Sequence, residues 1–391
     1  MKVTIIVGGR WHAFDLAYEL SKNNLLYRII TNYPKFKTRE WNIPDENVIS
    51  LPLTFLLTQA AYRIGGESWG MKGQFLIHQL FAHAAAQHLV GSTIIHGWSS
   101  FSEPAIHWAQ EHGIPFLLER SSAHMTVQTQ ILREEHSKLG VKWNETHPKI
   151  IKQELREYEL TTKVAVPSLF VKKSFLSQGV VERRLVHNPL GTNLKMFYPG
   201  VKEDSKFRVI YAGSLSVRKG IHYLVKAFRQ ANIQDSELYL VGGFTPETPI
   251  LLEEADDRVH CIGHIPQSKL PYYYQNSSVF VMASVEEGLA CVQAQAMACG
   301  LPLICSTNTG GEDLLRISDV PPINRKEGIQ EFPAGFLVPA KNSEAIATCL
   351  NWLASCPILL KAKQDAALTI RDKGLGWESY ASRAIAAYSQ L

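Results

Sequence analysis

Short apolar runs alternate along this chain with longer stretches in which apolar residues return every three or four positions. The first pattern is that of strands buried on both faces, and the second that of helices laid against them. Val3 to Val7 reads as a strand, Gly8 and Gly9 as the turn after it, and Trp11 to Leu20 as a helix, the opening unit of a parallel sheet. Further strands are predicted at Tyr27 to Thr31, Thr93 to His96, Pro115 to Glu119 and Lys163 to Val166. Leu53 to His88 and the charged region Met125 to Leu160 read as helical, with helices also at Ala105 to His112 and after Pro167 and Ser168. Asn188 to Lys206 has the glycine, proline and charge content of a linker, which places a domain boundary near residue 200. The alternation then restarts, with strands predicted at Phe207 to Ala212, Glu237 to Val241, Val259 to Ile262, Val279 to Met282, Leu301 to Cys305 and Phe336 to Val338, and a helix at Ile221 to Gln230. Two doubly wound α/β domains facing across a cleft are the expected architecture.

Composition agrees with this picture. A chain of 391 residues, 46% hydrophobic and 19% charged, is long enough for two cores. Its 40 basic and 36 acidic residues leave a net charge of only +4, too little to indicate a nucleic-acid partner. The six cysteines all lie in the second half without a C-x-x-C pair, as expected of reduced thiols in a cytosolic protein. The apolar run at the start is too short for a signal-peptide core, and no segment offers the ~20 uninterrupted apolar residues of a membrane span. A cytoplasmic protein is expected. Lys35, Lys37 and Arg39, interleaved with Tyr33, Phe36 and Trp41, suit either a peripheral membrane contact through the first domain or a solvated loop.

Two stretches carry chemistry. In Ser284 to Gly300 an acidic pair and a glycine lead from a strand into a helix start, whose free N–H groups suit an anion while Glu287 suits sugar hydroxyls. In Ala212 to Gly220, Gly213 permits a tight turn, and Arg218 and Lys219 precede a helix start, where they can hold a diphosphate. Neither a P-loop nor the dinucleotide fingerprint G-x-G-x-x-G is present, which disfavours nucleotide triphosphate hydrolysis and a nicotinamide oxidoreductase. In the first half, Gly9, His96, Glu119, Arg120 and His124 lie just beyond predicted strand ends, where open parallel sheets bind ligands. His96 reads equally as a functional histidine or as a satisfied one at a strand end, and Arg120 as an anion clamp or as the partner of a structural acid. His78, His83 and His88 are five residues apart and cannot share one helical face, so no metal site is expected.

Together these residues resemble the retaining, sugar-nucleotide-dependent glycosyltransferases of family 4, which have the GT-B fold of two Rossmann-like domains. The resemblance rests on Gly213 with Lys219-Gly220, the segment His260 to Ser284, the Glu287-Gly288 loop, Met297 to Pro302, the Thr309-Gly310-Gly311 turn, Gly335 to Pro339 and the Trp377-Glu378 pair. It covers the second half nearly end to end and the first half more loosely, through the Gly8-Gly9 loop, His96 and Gly113 to Pro115.

The resemblance implies an acceptor domain over residues 1–195, a donor domain over 200–372, and a terminal helix, 373–391, crossing back to the first domain. It implies transfer of a sugar from a nucleoside diphosphate sugar to an acceptor hydroxyl, in cell-surface glycan or glycolipid synthesis, without cofactor or metal, onto a sugar or lipid-linked acceptor. Catalytic roles then fall on Glu287, Lys219 and His96. Donor contacts fall on Gly213, Ser214, Arg218, Lys219, Gly263, His264, Glu287, Gly288, Leu289, Ala290, Cys291 and Gln295. Gly9, His12, Trp98, Glu119, Arg120 and His124 fall on the acceptor side. Four positions depart from the family pattern: Ser214 replaces an arginine, Ala290 a glycine, Gln295 the second glutamate, and Trp98 the second histidine of H-x-H. A GT-B protein that binds a sugar nucleotide without transferring it, such as an epimerase or inactive homologue, is the alternative.

Overall fold

A computed structural model describes the backbone of residues 1–391 and the side chains outside 61–72. β1 (Val3–Val7) is buried at every position because it lies in the interior of a sheet covered on both faces. It is joined by β2 (Leu26–Thr31), β3 (Val48–Ser50), β4 (Ile94–Trp98), β5 (Phe116–Glu119), β6 (Lys163–Val166) and β7 (Leu185–His187) in the order 3-2-1-4-5-6-7. All pairings are parallel.

The second sheet contains β8 (Phe207–Ala212), β9 (Ser236–Val241), β10 (Val259–Gly263), β11 (Val279–Met282), β12 (Leu303–Ser306), β13 (Ile323–Asn324), β14 (Gln330–Phe332) and β15 (Gly335–Val338) in the order 10-9-8-11-12-15-14-13. The antiparallel pairings, β13 with β14 and β14 with β15, are confined to one edge. In both sheets the chain winds outward through three strands and then returns beside the first. The reversals fall between β1 and β4 and between β8 and β11, where a crevice opens beyond the strand ends.

The element boundaries differ from the sequence expectation for local reasons. Met125 to Leu160 is two helices, Met125–Leu139 and Pro148–Leu160, because Gly140 takes a left-handed conformation that ends the first and His147 with Pro148 opens the second. The helix after β4 starts at Glu103, with Pro104 in its first turn, and not at Ala105. β3 and β7, at the outer edges of the first sheet, and the β13–β14 pair were not anticipated, since short, half-covered edge strands carry no long apolar run. The basic loop folds as a short helix, Lys35–Thr38, whose neighbouring charges pair locally, Arg39 with Asp45 and Lys37 with Glu40. Among the described residues, no single helix is long and apolar enough to cross a membrane.

Helix Pro357–Gly374 packs on the second lobe, and the chain then turns so that helix Trp377–Tyr388 packs on helix Ala13–Lys22 of the first. Lys22 meets Glu378 at 3.1 Å, and Arg383 reaches Asn188 at 2.9 Å. Tyr388, at the end of this helix, lies 2.7 Å from Nδ1 of His96 beneath the first sheet's strand ends.

Gly220, which follows Lys219, has φ +65°, and a Cβ there would run into the Ala283 carbonyl. No atom lies within 4 Å of a Cβ built at Gly243. Gly220→Ala should therefore lower unfolding free energy by about 2–3 kcal/mol, through strain and backbone collision, while Gly243→Ala stays within about 0.5 kcal/mol of wild type. Urea unfolding midpoints of the two variants check this, and equal midpoints would refute it.

Candidate functional site

The crevice between the lobes is a cavity of about 1430 Å³, lined by the turns after β1, β4 and β5 on one side and after β8 and β11 on the other. Its second-lobe wall is built from Gly213 and Ser214, from Arg218 and Lys219, and from the loop and helix start Glu287, Leu289, Ala290 and Cys291, with Gln295 one turn along helix Cys291–Ala298.

The two residues of the acidic pair separate in role. Glu286 is fully buried and receives Arg218 Nε at 2.9 Å, Ala123 N at 3.0 Å and Gln128 Nε2 at 3.1 Å, so it ties the cation-bearing loop to the first lobe. Arg218 also donates to Ser122 Oγ at 3.0 Å. Glu287 faces the cavity and pairs with Lys219, while its N–H donates to the Asn308 carbonyl at 2.9 Å. Burial first, and the neighbouring charge of Arg218 second, push the Lys219 pKa down to about 7. The charge of Glu286 works in the opposite direction; Lys219 itself pairs with Glu287, so added negative charge in the cavity would compete with Glu287 for this ammonium.

Gln295 is nearly buried, lines the cavity and receives Tyr274 Oη at 3.4 Å, which leaves acceptor capacity on its amide oxygen. Gly288 does not line the cavity; it sits at the lobe contact, where its carbonyl accepts from Ser168 Oγ at 2.7 Å and a Cβ would strike the Ser121 carbonyl. Gly263 and His264 lie at and beyond the end of β10, outside the cavity, because that strand is at the sheet's far edge. The donor contacts expected at those two positions are absent from the cavity wall.

On the first-lobe side, His12, Trp98 and Arg120 line the cavity, whereas His96, Glu119 and His124 do not. The catalytic role expected of His96 is not supported by its position. Its ring is 1% exposed and both nitrogens are engaged, Nδ1 with Tyr388 and Nε2 with Glu119 Oε2 at 3.1 Å. His12 is the histidine at the cavity, its Nε2 held 3.2 Å from Glu119 Oε1 and its ring stacked near Trp377. Burial raises the Glu119 pKa, but hydrogen bonds from His12 and His96 outweigh it and hold the carboxyl at about 2.

Arg120 takes the structural alternative, paired with Glu154 at 2.8 Å and donating to the Ala123 carbonyl and Gln128. His124 caps helix Met125–Leu139 and is wedged between Tyr158 and Phe175. Gly9 opens onto a smaller side cavity and not onto the main one.

Two residues, one lining the cavity and one shaping a loop beside it, carry no signal in the sequence. Asp15, its pKa raised to about 6 by burial, belongs to an ordinary amphipathic helix pattern. Glu157 receives the N–H groups of Ser100, Ser102 and Glu103 and so shapes the loop after β4 from fifty-odd residues away, a contact no local pattern encodes.

With this geometry in view, residues 206–356 match the model of the family described as Glycosyl transferases group 1. The two-lobed architecture is that of a sucrose-phosphate synthase from Thermosynechococcus elongatus, with a TM-score of 0.72 and 22% identity over 100% of this chain and 98% of that one. The fold is GT-B. A GT-B protein of Anabaena, HepE, solved in complex with UDP-glucose, superposes with a TM-score of 0.67 at 15% identity over both whole chains. In sequence, the chain is 28% identical over 108 residues to the O-antigen chain mannosyltransferase B of Escherichia coli, spanning 26% of this chain and 28% of that protein. It is also 28% identical over 172 residues to an uncharacterized glycosyltransferase of Haemophilus influenzae, 45% of whose length is matched. The match thus spans under half the length of either relative.

Glu119→Gln should cost about 3 kcal/mol at pH 7, because two pH units or more of depressed carboxylate pKa are lost. A lowered folded-state pKa stabilises above the unfolded value and ceases to do so as pH falls through the folded one. The wild-type advantage should therefore shrink below about pH 4.5, the ordinary carboxyl value. Urea unfolding of both proteins across that range tests it, and a pH-independent difference would count against stabilisation of the Glu119 carboxylate by His12 and His96.

Proposed function

We propose that the chain is a retaining glycosyltransferase that moves a sugar from a nucleoside diphosphate sugar to an acceptor hydroxyl. The observation that carries this reading is the meeting of Arg218, Lys219 and the start of helix Cys291–Ala298 at one wall of the inter-lobe cavity, with Glu287 beside them. A departing diphosphate needs preorganised positive charge, which two cations and a helix start supply in a partly dry crevice. The family match over residues 206–356 covers this wall, and the Anabaena protein of the same fold binds UDP-glucose.

In this reading Lys219 and Arg218 hold the diphosphate and Gln295 a ribose hydroxyl. Glu287, released from Lys219 when phosphate arrives, accepts hydroxyls of the donor sugar. The bond from the anomeric carbon to phosphate oxygen breaks while the acceptor oxygen bonds to that carbon from the same face, and the hydroxyl proton passes to the departing phosphate. No protein nucleophile enters. Closure of the lobes excludes water from the reacting centre, and the buried Glu286 tie is part of the closed arrangement.

The alternative, donor binding without transfer, finds support in the replacement of glutamate by Gln295 and in the Lys219–Glu287 pairing. Release of nucleoside diphosphate with a panel of acceptors supports the transferase, whereas binding without turnover supports the alternative.

Lys219→Met should weaken UDP binding about 10- to 100-fold, the loss of one charge-assisted contact. Wild-type affinity should fall as pH rises from about 7.5 to 9, because phosphate raises the Lys219 pKa above its free value of about 7 and binding then takes up a proton. Calorimetric titration with UDP reads both effects; pH-independent affinity in that window would remove Lys219 from the phosphate site. Gln295→Glu should tighten donor binding, since a carboxylate is the stronger acceptor for a ribose hydroxyl. Unchanged affinity would show that this side chain does not touch the nucleotide.

A further inference from the structure

Beside the main cavity, under the Gly8-Gly9 turn, lies a side cavity of about 220 Å³ that shares Gly8, His78 and Phe101 with it. Its walls come from the carboxyl ends of β1 and β2, the segment after β4, and residues 54–59 and 77–81 of helix Pro52–Ala86. At roughly 30 Å³ per water, it holds about seven, well beyond one structural water.

The lining combines rings and hydrogen-bonding groups. The ring centroids of Tyr33 and Phe55 lie 5.3 Å apart and those of His78 and Phe101 4.3 Å apart, and Asn32, Thr54, Thr58 and Gln59 complete the polar part of the lining. Among the described residues that line it, none is Lys, Arg, Asp or Glu.

Two buried polar atoms of this lining, Asn32 Oδ1 and His78 Nδ1, have no hydrogen-bond partner among the described residues. A buried polar atom left unpaired costs about 1–3 kcal/mol, so a hydroxyl in the pocket that reached either atom would recover that cost. Burial pushes the His78 pKa down to about 4, which keeps the ring neutral at neutral pH. A pocket whose described lining carries no charged group disfavours an anion or cation by the desolvation cost of its charge. Aromatic faces with unpaired polar atoms instead match the alternating C–H faces and hydroxyl edges of a sugar ring.

We propose that this side cavity binds a neutral sugar ring of the acceptor, and so selects uncharged glycosides over uronic acids and aliphatic alcohols. The acceptor role rests on the glycosyltransferase reading; the pocket's preference for a neutral sugar ring stands or falls separately.

The test is saturation-transfer NMR on the full chain with methyl α-glucoside, methyl α-mannoside and methyl α-galactoside, against glucuronate and octanol. It is run on wild type, Thr58→Phe, which fills the cavity, and Asn32→Leu, which removes an acceptor, with UDP titrated in parallel. At least one methyl glycoside should bind wild type and weaken about 10-fold or more in both variants, while UDP affinity changes by less than about 2-fold. If Thr58→Phe does not fold, as judged by circular dichroism, Asn32→Leu alone decides. Equal binding of glucuronate or octanol, absence of binding by any methyl glycoside, or glycoside binding unchanged in the folded variants would each overturn the proposal. If glycosides bind as expected but UDP does not bind wild type, the pocket stands and the glycosyltransferase reading falls.

Discussion

One buried carboxylate sets the relation between the two lobes. Glu286 leaves the second lobe at the loop after β11 and accepts hydrogen bonds from Ala123 and Gln128 of the first, while pairing with Arg218 of its own lobe. A charge with no exposure must be fully answered, and three donors from two lobes answer it only in one arrangement. The turn after β8 is thereby held against the loop after β5, and the crevice takes its width from that contact. Ser168 on the Gly288 carbonyl, and Asp313 accepting from Leu169 N–H and lying 2.6 Å from His187 Nε2, extend the same seam.

A second carboxylate, Glu119, plays the matching part inside the first lobe. His12 holds one oxygen, and His96 with Tyr380 the other, so a residue of the cavity wall, a residue of the sheet and the terminal helix meet at one group. The helix Trp377–Tyr388, far away in sequence, thus becomes part of the floor beneath the first lobe's strand ends. Two histidines that look alike in sequence end with different exposures and different jobs. His12 forms cavity wall, and His96 forms the layer under it.

The alternating core strands were legible because each is a short run buried on both faces, and burial on both faces leaves no choice of residue type. The same was true of the turn at Gly213 and the cations at Arg218 and Lys219, which follow a strand by a fixed short distance along the chain. Edge strands such as β3 and β13 were not legible, since half their surface faces solvent and their residues are unconstrained. Gly263 and His264 carried a motif-like signal, yet β10 is the last strand of its sheet, and sheet order is not written in local spacing.

Sequence by itself thus determined the two doubly wound lobes and the run of cations after β8, because those follow from periodicities and turns spanning a few residues. Tertiary structure alone decided which of Glu286 and Glu287 faces the cavity, that Arg120 is answered by Glu154, and that His12 replaces His96 at the cleft. Each of those outcomes depends on a partner tens to hundreds of residues away. A buried charge must find such a partner, but only the folded chain shows which one it has found.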